Sequence, residues 1–204
     1  MNTVNRPNVE SPDLRLVERA AVGDREARRE LFERFREPAY RVALRITGRA
    51  EDALDVVQDS FIRAFERLAD FQRDAGFQTW LLRIVSNRSL DLLRARKVRL
   101  AVPLDSGDDE PRYEPATTDR QSLPGTELER GELADRLRHV TETLPPDQRA
   151  VFALYATGDM TYGQIAEAMG IPIGTVMSRL FHARRRLQAM LPDLAPRSGG
   201  AENS

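Results

Sequence analysis

Apolar positions in this chain recur at steps of three and four, with no stretch of strict alternation. That pattern predicts helices throughout and no sheet. Asp13 can cap a helix from Leu14 to about Val22, closed by Gly23. Asp24 can cap the next, to about Arg36, with Ala27, Leu31 and Phe35 on one face. Pro38 suits the start of a further helix over Ala39–Thr47, where Val42 and Ile46 repeat and Gly48 follows. Ala50–Ala69 is the longest periodic stretch, with Val57, Phe61, Ala64 and Leu68 in register. Asp70–Phe77 reads as a loop, and Gln78–Val98 returns to helix with Trp80, Ile84, Leu90 and Leu93 as its stripe.

Periodicity then stops. Arg99–Arg130 contains Pro103, Pro111, Pro115 and Pro124 and reads as a flexible linker. Helix resumes over Gly131–Thr143 with Leu133, Leu137 and Val140, breaks at Leu144-Pro145-Pro146, and continues over Asp147–Ala156 with Val151 and Leu154. In Thr161–Leu191, Thr161 and Gln164 have capping-box spacing, and Ile165, Ala168 and Met169 precede Gly170. A second helix follows Pro172, with Val176, Leu180, Ala183 and Leu187 on one face. Its other surface carries Ser178, Arg179, Phe181, His182, Arg184, Arg185 and Arg186, and there is no acid from Ile171 to Leu191. A short helix, a glycine turn and an acid-free second helix describe a helix-turn-helix, whose second helix enters a DNA major groove. A solvated arginine-rich surface helix has the same pattern; the absence of acids favours DNA.

The expected fold is therefore all-α: two small helical domains, 13–98 and 131–191, the second containing the helix-turn-helix. An acidic, proline-containing linker over 99–130 joins them, and 1–12 and 192–204 are expected to be disordered.

Charge changes the picture by its distribution. The formal net charge is −1 over 204 residues, which excludes a uniformly basic nucleic-acid binder. Yet Leu82–Arg99 carries Arg83, Arg88, Arg94, Arg96, Lys97 and Arg99 against Asp91 alone, whereas Leu100–Glu132 is dominated by acids such as Asp105, Asp108, Asp109 and Glu110. Two polyanion-facing surfaces with a repelled connector fit that segregation. The acids of Ala50–Ala69, among them Asp52, Asp55 and Asp59, admit a plainer role as complements to the helix dipole. Phe71, in a loop beside a basic helix, can either pack inward or meet an unstacked base; Phe77 and Trp80 are expected in the core.

The chain has no cysteine, which excludes a disulfide scaffold and a thiolate metal site. It shows no signal-type or membrane-spanning run, so a cytoplasmic protein without membrane insertion is expected. There is no phosphate-binding glycine loop and no HExxH, and the two histidines, His139 and His182, lack ligand-spaced partners. No metal, no cofactor and no enzymatic activity are expected.

Two stretches resemble a known family. Ala50–Lys97 (AEDALDVVQDSFIRAFERLADFQRDAGFQTWLLRIVSNRSLDLLRARK) is similar to conserved region two of bacterial sigma factors, and Leu144–Leu187 (LPPDQRAVFALYATGDMTYGQIAEAMGIPIGTVMSRLFHARRRL) to region four. Their order, with only a linker between, is that of the extracytoplasmic-function class of the sigma-70 family. The resemblance implies a promoter-directing factor whose partners are core RNA polymerase, through the β′ clamp helices and the β subunit, promoter DNA and an anti-sigma factor. It implies polymerase contact by Asp52, Asp55, Gln58 and Asp59. It places Phe71, Gln72, Arg73, Asp74, Arg83, Asn87, Arg88 and Arg94 at the opened minus-ten element, where region two also melts the DNA. It places Thr175, Met177, Ser178, Arg179, Phe181, His182, Arg184 and Arg185 at the minus-thirty-five duplex. Met177 and His182 depart from the family's usual Arg or Lys, and methionine cannot make a bidentate guanine contact. The linker, by analogy, would run toward the RNA exit path. The rivals are a stand-alone helix-turn-helix regulator, which would carry a ligand or dimerisation domain in place of Ala50–Ala69, and a nucleic-acid enzyme, which would need clustered metal-binding acids.

Overall fold

The computed structural model describes residues 12–71, 76–101, 136, 139–158 and 160–190, and every regular element among them is a helix. In order these are α1 (Pro12–Ala21), α2 (Arg25–Thr47), α3 (Ala50–Glu66), a 3-10 turn at Leu68–Asp70, α4 (Phe77–Ala101), α5 (Pro146–Tyr155), α6 (Tyr162–Met169) and α7 (Ile173–Met190). Residues 139–142 are also helical and lead into α5. The segments expected to be linker and tails lie outside the described residues, apart from the ends they share with α1 and α4.

The helix read over Ala50–Ala69 ends at Glu66, ahead of the 3-10 turn, and two other boundaries differ more from the sequence reading. Asp13 does not cap α1; it lies inside the first turn and pairs with Arg34 of α2. The two helices expected on either side of Pro38 are one, Arg25–Thr47, with the proline inside. The reason is phase. Ala27, Leu31, Phe35, Ala39, Val42, Ala43 and Ile46 are all buried in a single register, so one rod seats the whole stripe. That burial offsets the lost amide hydrogen bond at Pro38.

α2 packs against α1, α3 and α4, and α3 also packs on α4. Leu31, Val42, Ile46, Leu81, Leu82 and Val85 fill the centre of this body. α5, α6 and α7 pack on one another around Val151, Leu154, Ile165, Val176 and Leu180. The two groups also touch: α5 rests on α2 and α4, and α6 on α4. Arg149 of α5 is buried at this seam and donates from Nη1 to the Ile46 carbonyl at 3.1 Å. Its Nη2 donates to the carbonyls of Leu144, at 3.1 Å, and Glu142. Gly48, in the left-handed conformation at φ +78°, closes α2 beside it, and a Cβ there would come within 2.7 Å of the Glu142 carboxylate. The left-handed turn demands the glycine, while the Glu142 side chain is flexible enough to move aside.

Candidate polymerase and nucleic-acid surfaces

α3 begins without a side-chain cap, but Glu51 and Asp52 in its first turn complement the helix dipole. Its acids then divide between two edges. Asp55 and Gln58 are exposed. Asp59 faces α4, where it pairs with Arg88, and it also meets Arg63 at 3.5 Å. Asp52 pairs with Arg96 of α4 at 3.6 Å. Two of the four expected polymerase contacts therefore also hold α3 to α4. Sharing the outer face with Asp55 and Gln58 are Leu54 and Ile62, 59% and 49% exposed. Sequence reasoning missed these two. Their signal was present: both are apolar, yet they fall outside the Val57–Phe61–Ala64–Leu68 register. Leu54, Gln58 and Ile62, at steps of four, form one line with Asp55 beside it. An apolar strip fringed by acid and amide is suited to a partner with its own basic and apolar surface.

The second surface lies on α4. Arg83, Asn87 and Arg94 are exposed along one line of the helix, with Asp91 paired to Arg94 at 3.0 Å. Arg88 is turned toward Asp59 instead. Preceding α4, Phe71 is half-buried and packs its ring against Trp80 at 5.3 Å and Phe77 at 6.1 Å. Phe77 is buried and continues the stack to Phe35 at 5.1 Å. Phe77 is thus a core anchor, and Phe71 and Trp80 are both only partly enclosed. Gln72, Arg73 and Asp74 lie outside the described residues.

The helix-turn-helix is α6 and α7. The Thr161 hydroxyl accepts from the Gln164 amide while the Gln164 side chain accepts from the Thr161 amide at 2.8 Å, so the capping box is complete. Gly170 ends α6 at φ +63°, in the left-handed conformation. Pro172 stands just before α7, its carbonyl accepting from Thr175 and Val176. Val176, Leu180 and Ala183 are buried, and their register turns Met177, Ser178, Phe181, His182 and Arg185 outward. Arg179 and Arg184 lie at the two edges of the core stripe, and both reach α5. Arg179 pairs with Asp147 at 3.3 Å; Arg184 lies over the Tyr155 ring at 4.7 Å. Thr175 is half-buried. The outward set is basic, hydroxylic and apolar, with no acid, which is chemistry that can meet phosphates and base edges.

Fold and surfaces together describe an all-α helix-turn-helix protein with a separate helix that exposes acid, amide and apolar side chains. The family model for Sigma-70 region 2 matches residues 31–99, and that for Sigma-70, region 4 matches residues 134–187. The chain is 32% identical over 183 residues to the ECF RNA polymerase sigma-E factor of Haemophilus influenzae, covering 89% of this chain and 96% of that one. Among solved structures it is similar to CnrH in complex with the cytosolic domain of CnrY, with a TM-score of 0.63 and 27% identity over 90% of this chain and 99% of that one. It shares the fold of the sigma factor RpoE of Bartonella quintana, solved with the anti-sigma factor NepR, at a TM-score of 0.60 and 23% identity over 80% of this chain and 96% of that one. The chain belongs to the sigma-70 family of RNA polymerase sigma factors, in its extracytoplasmic-function class.

Proposed function

We propose that this chain binds core RNA polymerase through the outer face of α3 and directs it to a subset of promoters. α4 and its aromatic cluster engage the opened minus-ten strand, and α7 reads the minus-thirty-five duplex. Polymerase performs the chemistry; the chain itself is not an enzyme and works inside the cell, where promoters are. No described helix is long and apolar enough to cross a membrane.

The observation that carries this reading is the presence, in one chain, of an acid-fringed apolar helix face and an outward, acid-free helix-turn-helix. A stand-alone regulator has no use for Leu54, Asp55, Gln58 and Ile62 held exposed on a helix whose opposite side is core. Stacking on the Phe71–Trp80 cluster would help offset the cost of unpairing a base, about a few kcal/mol. The arginines of α4 and α7 would add the phosphate term, so affinity for DNA should fall steeply with salt. The fold shared with a sigma factor solved with an anti-sigma factor supports regulation by a partner of that kind.

The test compares two charge reversals on α3. Asp55→Arg is expected to lower affinity for core polymerase at least tenfold with an unchanged melting temperature, because Asp55 is exposed. Asp59→Arg is expected to lower both, because it sets one new arginine against Arg88 and Arg63 in place of the acid that pairs with them. Full polymerase affinity in Asp55→Arg would count against docking by this face.

A further inference from the structure

Along the outer side of α7, Ile173, Met177 and Phe181 stand one turn apart and are 48%, 51% and 62% exposed. They form an apolar strip on a helix whose other exposed side chains include Ser178, His182, Arg185 and Arg186. Gly174 lies beside the strip, and a Cβ there would meet nothing within 4 Å. Packing inside the chain therefore explains neither the three exposed apolar side chains nor the helix-weakening glycine. An external body does, provided that it is polyanionic at its rim and carries apolar groups where the strip falls. Duplex DNA fits both conditions. Among the four bases only thymine presents a methyl group in the major groove.

We propose that Met177 and Phe181 read thymine C5-methyl groups in the minus-thirty-five duplex, with Gly174 allowing the groove wall to close on the first turn of α7. The proposal rests on the reading of α7 as the recognition helix and deepens it. Methionine offers a flexible, polarisable surface that follows a methyl group and donates no hydrogen bond, so at its base step preference is set by shape and apolar burial. Arg185 and Arg186 then supply attraction to phosphate without choosing a base. Ile173 begins the strip at the helix N-terminus, where it can shield the first contact from water.

The test uses holoenzyme assembled from core polymerase and the full chain. Duplex fragments are first selected from randomised DNA. Each thymine of the selected upstream element is then replaced singly by deoxyuridine, which removes only the methyl group. Wild type is expected to lose about fourfold in affinity at each thymine facing the strip, as for burial of one methyl. Met177→Ala and Phe181→Ala are expected to abolish that penalty at their own thymine while melting like wild type. Met177→Arg is expected to shift selection at its position toward guanine. Indifference of wild type to deoxyuridine, or an undiminished penalty in both alanine variants, would assign the strip to a protein partner or a second copy and overturn the proposal. A selected element without methyl dependence sinks this proposal alone. No selected element at all sinks the sigma-factor reading and this proposal with it.

Discussion

Arg149 has its guanidinium enclosed at the meeting of α2, α5 and the turn before α5, with three backbone carbonyls around it. Ile46 lies in the last turn of α2, where carbonyls lack intrahelical partners and a cation is favoured. Burial pushes the Arg149 guanidinium below its ordinary value, opposed by the nearby Glu142 carboxylate; a guanidinium keeps its charge in a protein. Arg149→Met should therefore leave carbonyls without a donor and lower unfolding free energy by roughly 2–4 kcal/mol. Arg149→Lys should recover only part, since a point charge cannot span the same acceptors. Chemical denaturation checks this, and a loss below about 0.5 kcal/mol, the range of an ordinary surface change, would contradict it. None of this was visible in the sequence. Arg149 stands in an arginine-rich chain with nothing nearby to mark it, and one of its three acceptors is more than a hundred residues away. Arg179 gives the converse lesson. Its place on α7 was legible, but its pairing with Asp147 depends on how α5 crosses α7.

At the scale of elements, several helix ends marked by side chains or glycines were read correctly, whereas the cap expected at Asp13 falls inside α1. The capping box at Thr161, the turn at Gly170 and the Asp24 cap each depend on three or four consecutive residues, so local sequence suffices to find them. Pro38 shows where local reasoning fails. It is a breaker by propensity, yet the apolar register runs through it and the core decides. If that account is right, Pro38→Ala should restore an amide donor in mid-helix and raise stability by about 1–3 kcal/mol. A destabilised variant on thermal or urea unfolding would mean that the ring fills space the core needs. Asp24 supplies a pH-dependent test. The Ala27 amide and the Arg19 side chain hold its carboxyl below its ordinary 3.8. Because the folded-state value is depressed, its stabilisation is fully present above the unfolded value and is lost as pH falls through the folded one. Asp24→Ala should melt lower than wild type at pH 7, and the gap should shrink on titration below about pH 4. A gap independent of pH would remove the charge from the explanation.

The whole molecule raises a question of reach. α6 packs on both α4 and α7, so the exposed line of α4 and the outer face of α7 are separated by about two helix-packing layers, roughly 20 Å. Promoter elements named for minus ten and minus thirty-five lie about 25 base pairs apart, some 85 Å of B-form duplex at roughly 3.4 Å per pair. If α4 and α7 hold the two elements as proposed, the arrangement with α5 and α6 seated on α2 and α4 would not reach both at once. On that reading, holding one promoter at both points would require the second group of helices to leave the first, breaking the Arg149 hydrogen bond to Ile46. The same Arg149→Met variant should therefore scatter X-rays as a more expanded particle than wild type. Sequence reasoning anticipated two helical bodies and a repelled connector, but it could not foresee that they rest on each other. That contact joins surfaces far apart in the chain and carries no periodic signal.

The most direct measurement is transcription itself. Purified chain, shown to be folded by its helical spectrum, is added to core RNA polymerase with a pool of genomic fragments, and the transcripts are mapped. The account predicts discrete start sites that depend on the added chain, fall away with Asp55→Arg, and weaken as salt is raised. Transcripts from random positions, or the same starts with and without the chain, would contradict it.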